Sequence, residues 1–110
     1  MRLLINCSTL SATGATQVAV SFINECRMFP DNEYHVLLSQ TVAGQINKGQ
    51  FQPNFTFYII DHHPLYGFNG FKMRKKIKKM EIKIKPDIVF SVFGPSWWTP
   101  KAPHLIGFAY

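Results

Sequence analysis

Arg2-Leu-Leu-Ile-Asn6 is a short apolar run, and Ser8-Thr-Leu-Ser-Ala-Thr-Gly-Ala15 is rich in hydroxyl groups and small side chains. An amphipathic helix is predicted next, because apolar residues then recur at helical spacing. They are Ala15, Val18, Ala19, Phe22, Ile23 and Cys26, with Val20 as the exception on the polar face of Thr16, Gln17, Ser21, Asn24, Glu25 and Arg27. The stretch therefore predicts a strand, a loop and a helix in direct succession.

The start of this helix is a candidate anion site. Thr13 or Gly14 is the expected N-cap, since short oxygens or bare backbone satisfy the first free amides of a helix. A strand, a glycine turn and a helix start gather N–H groups and the positive helix end at one point, which favours phosphate. The alternative is an ordinary tight connection between strand and helix.

Length and composition limit the classes of protein. The 110 residues allow one domain with a real core, spanning 1–110, and 46% of them are apolar. No apolar run is long enough to span a membrane, and the N-terminus lacks the pattern of a signal peptide. Cys7 and Cys26 form no CxxC pair, so we expect reduced, buried thiols and a cytoplasmic location.

The rest of the chain alternates strand and helix patterns. Strands are predicted at Tyr34–Leu38, Phe55–Ile60, Asp87–Ser91 and His104–Tyr110, with a short helix or irregular crossover between Ser39 and Asn54. A loop is expected at Asp61–Gly70, followed by a helix from about Phe71 to Lys85 that Pro86 ends. Its apolar stripe is Met73, Ile77, Met80 and Ile84. This order predicts an α/β, Rossmann-like, doubly wound parallel sheet of about five strands in the order 3-2-1-4-5.

In that order the direction of chain progression across the sheet reverses between strands one and four. Ligands of such sheets bind at this switch point, beside the carboxyl ends of the two strands. The loops there, Cys7–Gly14 and Val92–His104, are the most distinctive of the chain. The sequence also stops inside an apolar strand, so we expect it to be part of a longer chain.

The ordered set of motifs resembles the N-terminal half of GT-B glycosyltransferases, in particular the large retaining family 4. The resemblance rests on Thr13-Gly14-Ala15 opening the first helix, on Lys85-Pro86-Asp87-Ile-Val-Phe, and on Pro103-His104-Leu-Ile-Gly-Phe. It implies an acceptor-side domain whose partner domain holds a nucleotide-diphosphate sugar. In such enzymes the backbone of Thr13, Gly14 and Ala15 would approach the donor diphosphate, and neither a cofactor in this domain nor a metal is implied. The family's usual His has no counterpart after the fourth strand, so the catalytic residue is unassigned.

Two loops supply candidate residues for the acceptor side. Asp61-His62-His63-Pro64 also resembles the motif of the DHH phosphoesterases, but their two metal ions need more aspartates than the three present here. We therefore expect His62 and His63 to line the cleft, or to lie on a plain surface loop. Trp97 and Trp98 follow Gly94-Pro95-Ser96, and flat indoles either stack on sugars or pack at a core or domain interface. The three glycines of a dinucleotide fingerprint and the Gly-Lys-Ser/Thr of a P-loop are not present in this turn.

One segment makes the protein basic. The formal net charge is +6, yet residues 72–85 alone carry eight basic side chains and one glutamate, so the rest of the chain is close to neutral. The patch comprises Lys72, Arg74, Lys75, Lys76, Lys78, Lys79 and Lys83. A solvated face, an anionic membrane surface and nucleic acid are the three interpretations, and nucleic acid is disfavoured because no aromatic residues interleave with the lysines.

The sequence thus predicts a glycosyltransferase domain acting in cell-surface polysaccharide or glycolipid synthesis, at the inner face of the membrane or in the cytoplasm. By itself the domain is expected to be inactive. Two alternatives stay open. One is a stand-alone flavodoxin-like module that docks its basic helix on nucleic acid or acidic partners. The other is a sugar-nucleotide epimerase of the same fold.

Overall fold

A computed structural model describes residues 1–8, 13–60, 67–92 and 103–106. Side chains are described for these residues except 13, 67–71 and 104–106. The helices and strands in chain order are β1 (Arg2–Cys7), α1 (Thr13–Glu25), β2 (Glu33–Ser39), α2 (Gln40–Ala43), β3 (Phe55–Ile60), α3 (Gly67–Ile84) and β4 (Ile88–Ser91). Short 3-10 turns follow α1 at Cys26–Met28 and precede β3 at Lys48–Gln50.

The four strands form a parallel sheet in the order β3-β2-β1-β4. The pairs β1–β2, β2–β3 and β1–β4 are all parallel, so the α/β class and this part of the predicted order are confirmed. The segment His104–Ile106 runs parallel beside β4. The remainder of the predicted fifth strand, 107–110, lies outside the described residues.

Helices cover both faces of the sheet. On one face α1 packs Ala19 and Ile23 against Ile5 and Val36. On the other face α3 packs Ile77 against Leu4, Leu37 and Val89. β1 is buried on both sides, with Leu4 and Ile5 fully inaccessible, which explains why its sequence is a continuous apolar run rather than an alternating one.

The buried stripe of α1 differs from the predicted one. Thr16, expected on the polar face, is fully buried, whereas Val18, expected in the core, is 51% exposed. Val20 is partly buried against the core cluster. Both stripes satisfy a period of about 3.6 residues, and only the position of the sheet decides between them. The buried Thr16 hydroxyl has no hydrogen-bond partner among the residues that the structure describes.

The predicted N-cap of α1 is also wrong. Thr13 and Gly14 are the first two residues of the helix itself. The residue that precedes the helix lies outside the described residues. The helix start still lies where the sequence places it, within one residue.

The predicted start of α3 is four residues too late. The sequence predicts Gly67 and Gly70 in a loop, but both belong to the helix. A glycine inside a helix lowers the stability of the helix by only about 1 kcal/mol, so a helix of 18 residues tolerates two of them. The predicted apolar stripe is confirmed, because Ile77 and Ile84 are buried and Met73 and Met80 pack against the same cluster. The stripe also includes Glu81, which is buried.

The ends of the strands shift by one residue or so from the predicted bounds. β4 begins at Ile88 rather than Asp87, whose carboxylate accepts a hydrogen bond of 2.7 Å from the backbone N–H of Arg2. β2 is longer by one residue at each end. Cys7 and Cys26 are free and buried, as predicted.

Candidate functional site

The carboxyl ends of β1 and β4 lie side by side in the sheet. Asn6 of β1 is the register partner of Ser91 of β4. From β1 the chain moves outward through β2 and β3, and it then crosses to the other side of β1 to form β4. This reversal is the topological switch point, the place where parallel α/β sheets bind ligands.

Three buried polar side chains meet at this point. The Asn6 amide nitrogen donates to the Ser91 hydroxyl at 3.2 Å. The Asn6 amide oxygen accepts two hydrogen bonds from Ser8, at 3.1 Å from the backbone N–H and at 2.6 Å from the hydroxyl. All three residues are at most 5% exposed. We call Asn6, Ser8 and Ser91 the polar cluster.

The polar cluster fixes how the chain leaves the central strand. A backbone N–H can only donate, so the Asn6 oxygen must face Ser8 and the Asn6 nitrogen must face Ser91. The contact between the Asn6 side chain and the backbone N–H of Ser8 is an Asx turn, which orients the backbone at Ser8. The polar cluster thus links Ser8, which follows β1, to Ser91, the last residue of β4.

Sequence reasoning missed the polar cluster as a unit. The signal was present, since Asn6 and Ser91 are the polar residues that end two otherwise apolar runs. What the sequence lacks is the register, which brings together two side chains 85 positions apart.

The predicted phosphate loop is described only in part. Gly14 and Ala15 lie in the first turn of α1, with Gly14 exposed and Ala15 half-buried. A Cβ atom placed on Gly14 would meet nothing within 4 Å. The backbone there is open to an incoming group, and a larger side chain at this position would fill open space.

The predicted acceptor residues lie outside the described residues. They are His62, His63, Gly94, Pro95, Ser96, Trp97 and Trp98. Their flanking elements are described, because β3 ends at Ile60 and β4 ends at Ser91. Both strands run in the same direction, so the loops that carry these residues leave from the edge of the sheet that holds the polar cluster.

The basic patch lies on α3. Its lysines, Lys72, Lys75, Lys76, Lys78, Lys79 and Lys83, are exposed, and Arg74 is half-buried. Five of the lysines line a groove of about 350 Å³ together with Met80, namely Lys72, Lys75, Lys76, Lys79 and Lys83. At about 100° per residue these five fall within an arc of about 100°, and Lys78 lies outside it. We call the five the lysine stripe.

No group of three or more His, Cys, Asp or Glu side chains in the described part of the chain is arranged to hold a metal ion. None of the described helices combines the length and the apolar character needed to cross a bilayer.

Comparison with protein-family models, with curated proteins and with solved structures found no match to this chain. The fold therefore defines the class of the protein on its own. It is an α/β protein with a parallel sheet of order 3-2-1-4 and helices on both faces, which is compatible with a Rossmann-like fold.

Proposed function

We propose that this chain is the acceptor-side domain of a retaining, nucleotide-sugar-dependent glycosyltransferase of GT-B architecture. In this proposal His104–Tyr110 completes a five-stranded doubly wound sheet, and a second domain binds the donor. The observation that carries the proposal is the switch point itself, where a buried polar cluster lies at the carboxyl ends of β1 and β4.

The geometry of this edge suits a diphosphate. The first N–H groups of α1 have no partners within the helix and carry its partial positive charge. Gly14 adds no side chain there, so a phosphate oxygen can approach the backbone closely. Charge on a leaving diphosphate would be stabilised by such amides and by basic groups rather than by Mg²⁺. The resemblance, and not the edge, supplies the sugar nucleotide as the ligand.

The sugar acceptor would bind at the same edge of the sheet, opposite the donor diphosphate. His62, His63 and the segment Gly94-Pro95-Ser96-Trp97-Trp98 would supply hydroxyl contacts and flat apolar faces for a sugar. The catalytic group stays unassigned.

The lysine stripe supports a peripheral membrane location at the inner face. A planar surface touches one side of a helix, and five lysines on one arc can all reach it. Each lysine near an anionic leaflet contributes roughly 1 kcal/mol. A sugar or glycolipid acceptor at the membrane would then lie beside the enzyme.

The lysine stripe also favours the binding module as a second candidate. Such a module would bind polyanions in general, and its affinity would fall steeply with salt. An epimerase would be recognised by a different product, a free epimerised sugar nucleotide formed without any acceptor.

The test is the turnover of nucleotide sugars by the full-length protein. Release of nucleoside diphosphate from UDP-glucose, UDP-galactose and GDP-mannose is measured for the wild type, Gly14→Val and Gln17→Val. Valine at position 14 should lower kcat/KM by about 10- to 100-fold, because it blocks the approach of phosphate to the backbone. Gln17 is exposed one turn along the same helix, so the same side chain there should change kcat/KM by less than about twofold.

Two results would count against the proposal. Full turnover by Gly14→Val would remove the phosphate role of this turn. A wild-type protein that consumes none of the three donors while binding heparin with a steep salt dependence would favour the binding module.

A further inference from the structure

A second polar arrangement lies away from the switch point, near the amino ends of the strands. Arg2, Glu33, His35 and Tyr58 come from three neighbouring strands, and they line a cavity of about 350 Å³. The C-terminal end of α3 closes it with Met80, Lys83 and Ile84. This site is on the α3 face of the sheet and shares no residue with the polar cluster.

The four polar side chains form one continuous chain of hydrogen bonds. The Tyr58 hydroxyl lies 2.9 Å from His35 Nδ1, and His35 Nε2 lies 2.5 Å from Glu33 Oε2. The same carboxylate oxygen accepts from Arg2 Nε at 2.7 Å. Arg2 Nη1 donates in turn to the carbonyl oxygen of Ile84 at 2.6 Å, at the end of α3.

The partners assign the protons on His35. The hydrogen bond from His35 and the charge of Arg2 lower the pKa of Glu33, so this carboxylate is ionised and can only accept. Nε2 therefore carries a hydrogen. In a neutral imidazole Nδ1 is then an acceptor, and the Tyr58 hydroxyl donates to it.

Protonation of His35 reverses the direction of the hydrogen bond between His35 and Tyr58. Nδ1 of an imidazolium donates, so the Tyr58 oxygen must accept and its own hydrogen turns away from the ring. Because Tyr58 lines the cavity, that hydrogen becomes available to an occupant. The wall also gains a positive charge. With neutral His35 its charged groups are Arg2, Lys83 and Glu33, with a net charge of +1, and with protonated His35 the net charge is +2.

The remaining wall is apolar. Met80 and Ile84 belong to the hydrophobic cluster between α3 and the sheet, and the Tyr58 ring packs on that cluster as well. A volume of about 350 Å³ is at the lower end of the range of pockets for small molecules. The cavity thus offers an apolar floor beside cationic groups and a hydroxyl whose direction depends on one imidazole.

We propose that this cavity binds a small organic anion, a carboxylate or phosphate monoester on an apolar body, and that protonation of His35 strengthens the binding. The anionic head lies against Lys83 and the Tyr58 hydroxyl, and the apolar body lies against Met80 and Ile84. Loss of the proton from His35 removes both the added charge and the available Tyr58 hydrogen, so the affinity falls when His35 becomes neutral. The site operates independently of sugar transfer.

The test is an NMR titration of the full-length protein with benzoate and with benzamide, its neutral analogue, at about pH 5.5 and about pH 8. Benzoate stays ionised at both values, so any change in its affinity comes from the protein. Its Kd should be at least about tenfold lower at the lower pH, and the Kd of benzamide should change by less than about twofold.

Variants distinguish the effect of the His35 charge on benzoate binding from the effect of the Tyr58 hydroxyl. His35→Gln cannot be protonated and should bind benzoate with the high-pH affinity at both pH values. Tyr58→Phe keeps the imidazolium charge but lacks the donor, so it should retain only part of the gain. Lys83→Gln should weaken benzoate binding at both pH values, whereas Lys78→Gln, on the same helix but outside the cavity, should leave it unchanged.

A measurement on the unaltered protein guards against a variant that fails to fold. Binding and protonation are reciprocal, so saturating benzoate must move the midpoint of the His35 ring titration upward by about one pH unit for a tenfold coupling. The proposal is overturned if that midpoint stays in place, if benzoate binds equally at both pH values, or if folded His35→Gln keeps the wild-type pH dependence. Absence of saturable benzoate binding at either pH overturns it too.

Discussion

Asn6 is the single residue on which the structure of the polar cluster depends most. Its amide joins Ser8 and Ser91 in the polar cluster. A buried amide at the end of an apolar strand is costly unless its hydrogen bonds are made, and here they set the exit of the chain from β1.

Replacing Asn6 tests this role. Asn6→Ala should lower the free energy of unfolding by about 1–3 kcal/mol, because the buried N–H of Ser8 loses its acceptor. The matched control is Asn24→Ala, since the Asn24 side chain bonds to a helix carbonyl on an exposed surface. That change should stay within about 0.5 kcal/mol. Urea unfolding of both variants measures the difference, and equal effects would contradict the role given to Asn6.

The two thiols give a second prediction at this scale. Burial, followed by the charge of Cys26, raises the pKa of Cys7 to about 12, and burial, followed by Glu25, raises the pKa of Cys26 to about 11. Below the ordinary thiol pKa of about 9 both states are protonated and the thiols add no pH dependence. Above it the unfolded chain releases protons first, so stability falls as pH rises towards 11.

The measurement is urea unfolding between about pH 8 and 11. Burial raises the pKa of Tyr34 and Tyr58 as well, so these phenols add to the alkaline loss. The thiol contribution is the part of the slope that disappears in the double variant Cys7→Ala/Cys26→Ala. In the native state at pH 8 neither thiol should react with an alkylating reagent. Rapid native labelling, or an unchanged slope in the double variant, would refute this assignment.

At the scale of elements, the amphipathic pattern specified which segments are helices but not every buried face. α3 presents its predicted stripe to the sheet, because strong apolar residues alternate there with lysines that must remain solvated. In α1 the sheet buries Thr16 and leaves Val18 exposed, so the buried face is not the one that the polarity of the side chains favours. Which face of α1 is buried then depends on the shape of the sheet beneath the helix, and the periodicity of the sequence carries no information about that shape.

The lysine stripe of α3 yields a prediction for membranes. The double variant Lys75→Gln/Lys79→Gln removes two charges from the stripe, and Lys78→Gln/Lys85→Gln removes two exposed charges outside it. Binding to vesicles of phosphatidylcholine and phosphatidylserine should weaken by about 10-fold or more in the first variant. The second should lose markedly less. Equal losses would show that net charge, and not the arc of the stripe, determines the attraction.

At the scale of the whole molecule, the order of four strands could be predicted because each apolar strand is followed by a crossover, and such crossovers have one hand. The same order predicts a candidate ligand site at the switch point. The polar cluster and the cavity around His35 could not be predicted, because each joins residues of different strands through their register. Glu33, His35 and Tyr58 share a face of the sheet, but nothing local in the sequence pairs the first two with the third.

The central claim is that the ligand of this domain binds at the carboxyl edge between β1 and β4. The most direct measurement is the shift of backbone amide resonances in the full-length protein when UDP or GDP is added. We expect shifts for residues in and beside the polar cluster and at the start of α1, namely Cys7, Ser8, Gly14, Ala15 and Val92. Shifts confined to the lysine stripe and the C-terminal end of α3, with this edge unperturbed, would contradict it.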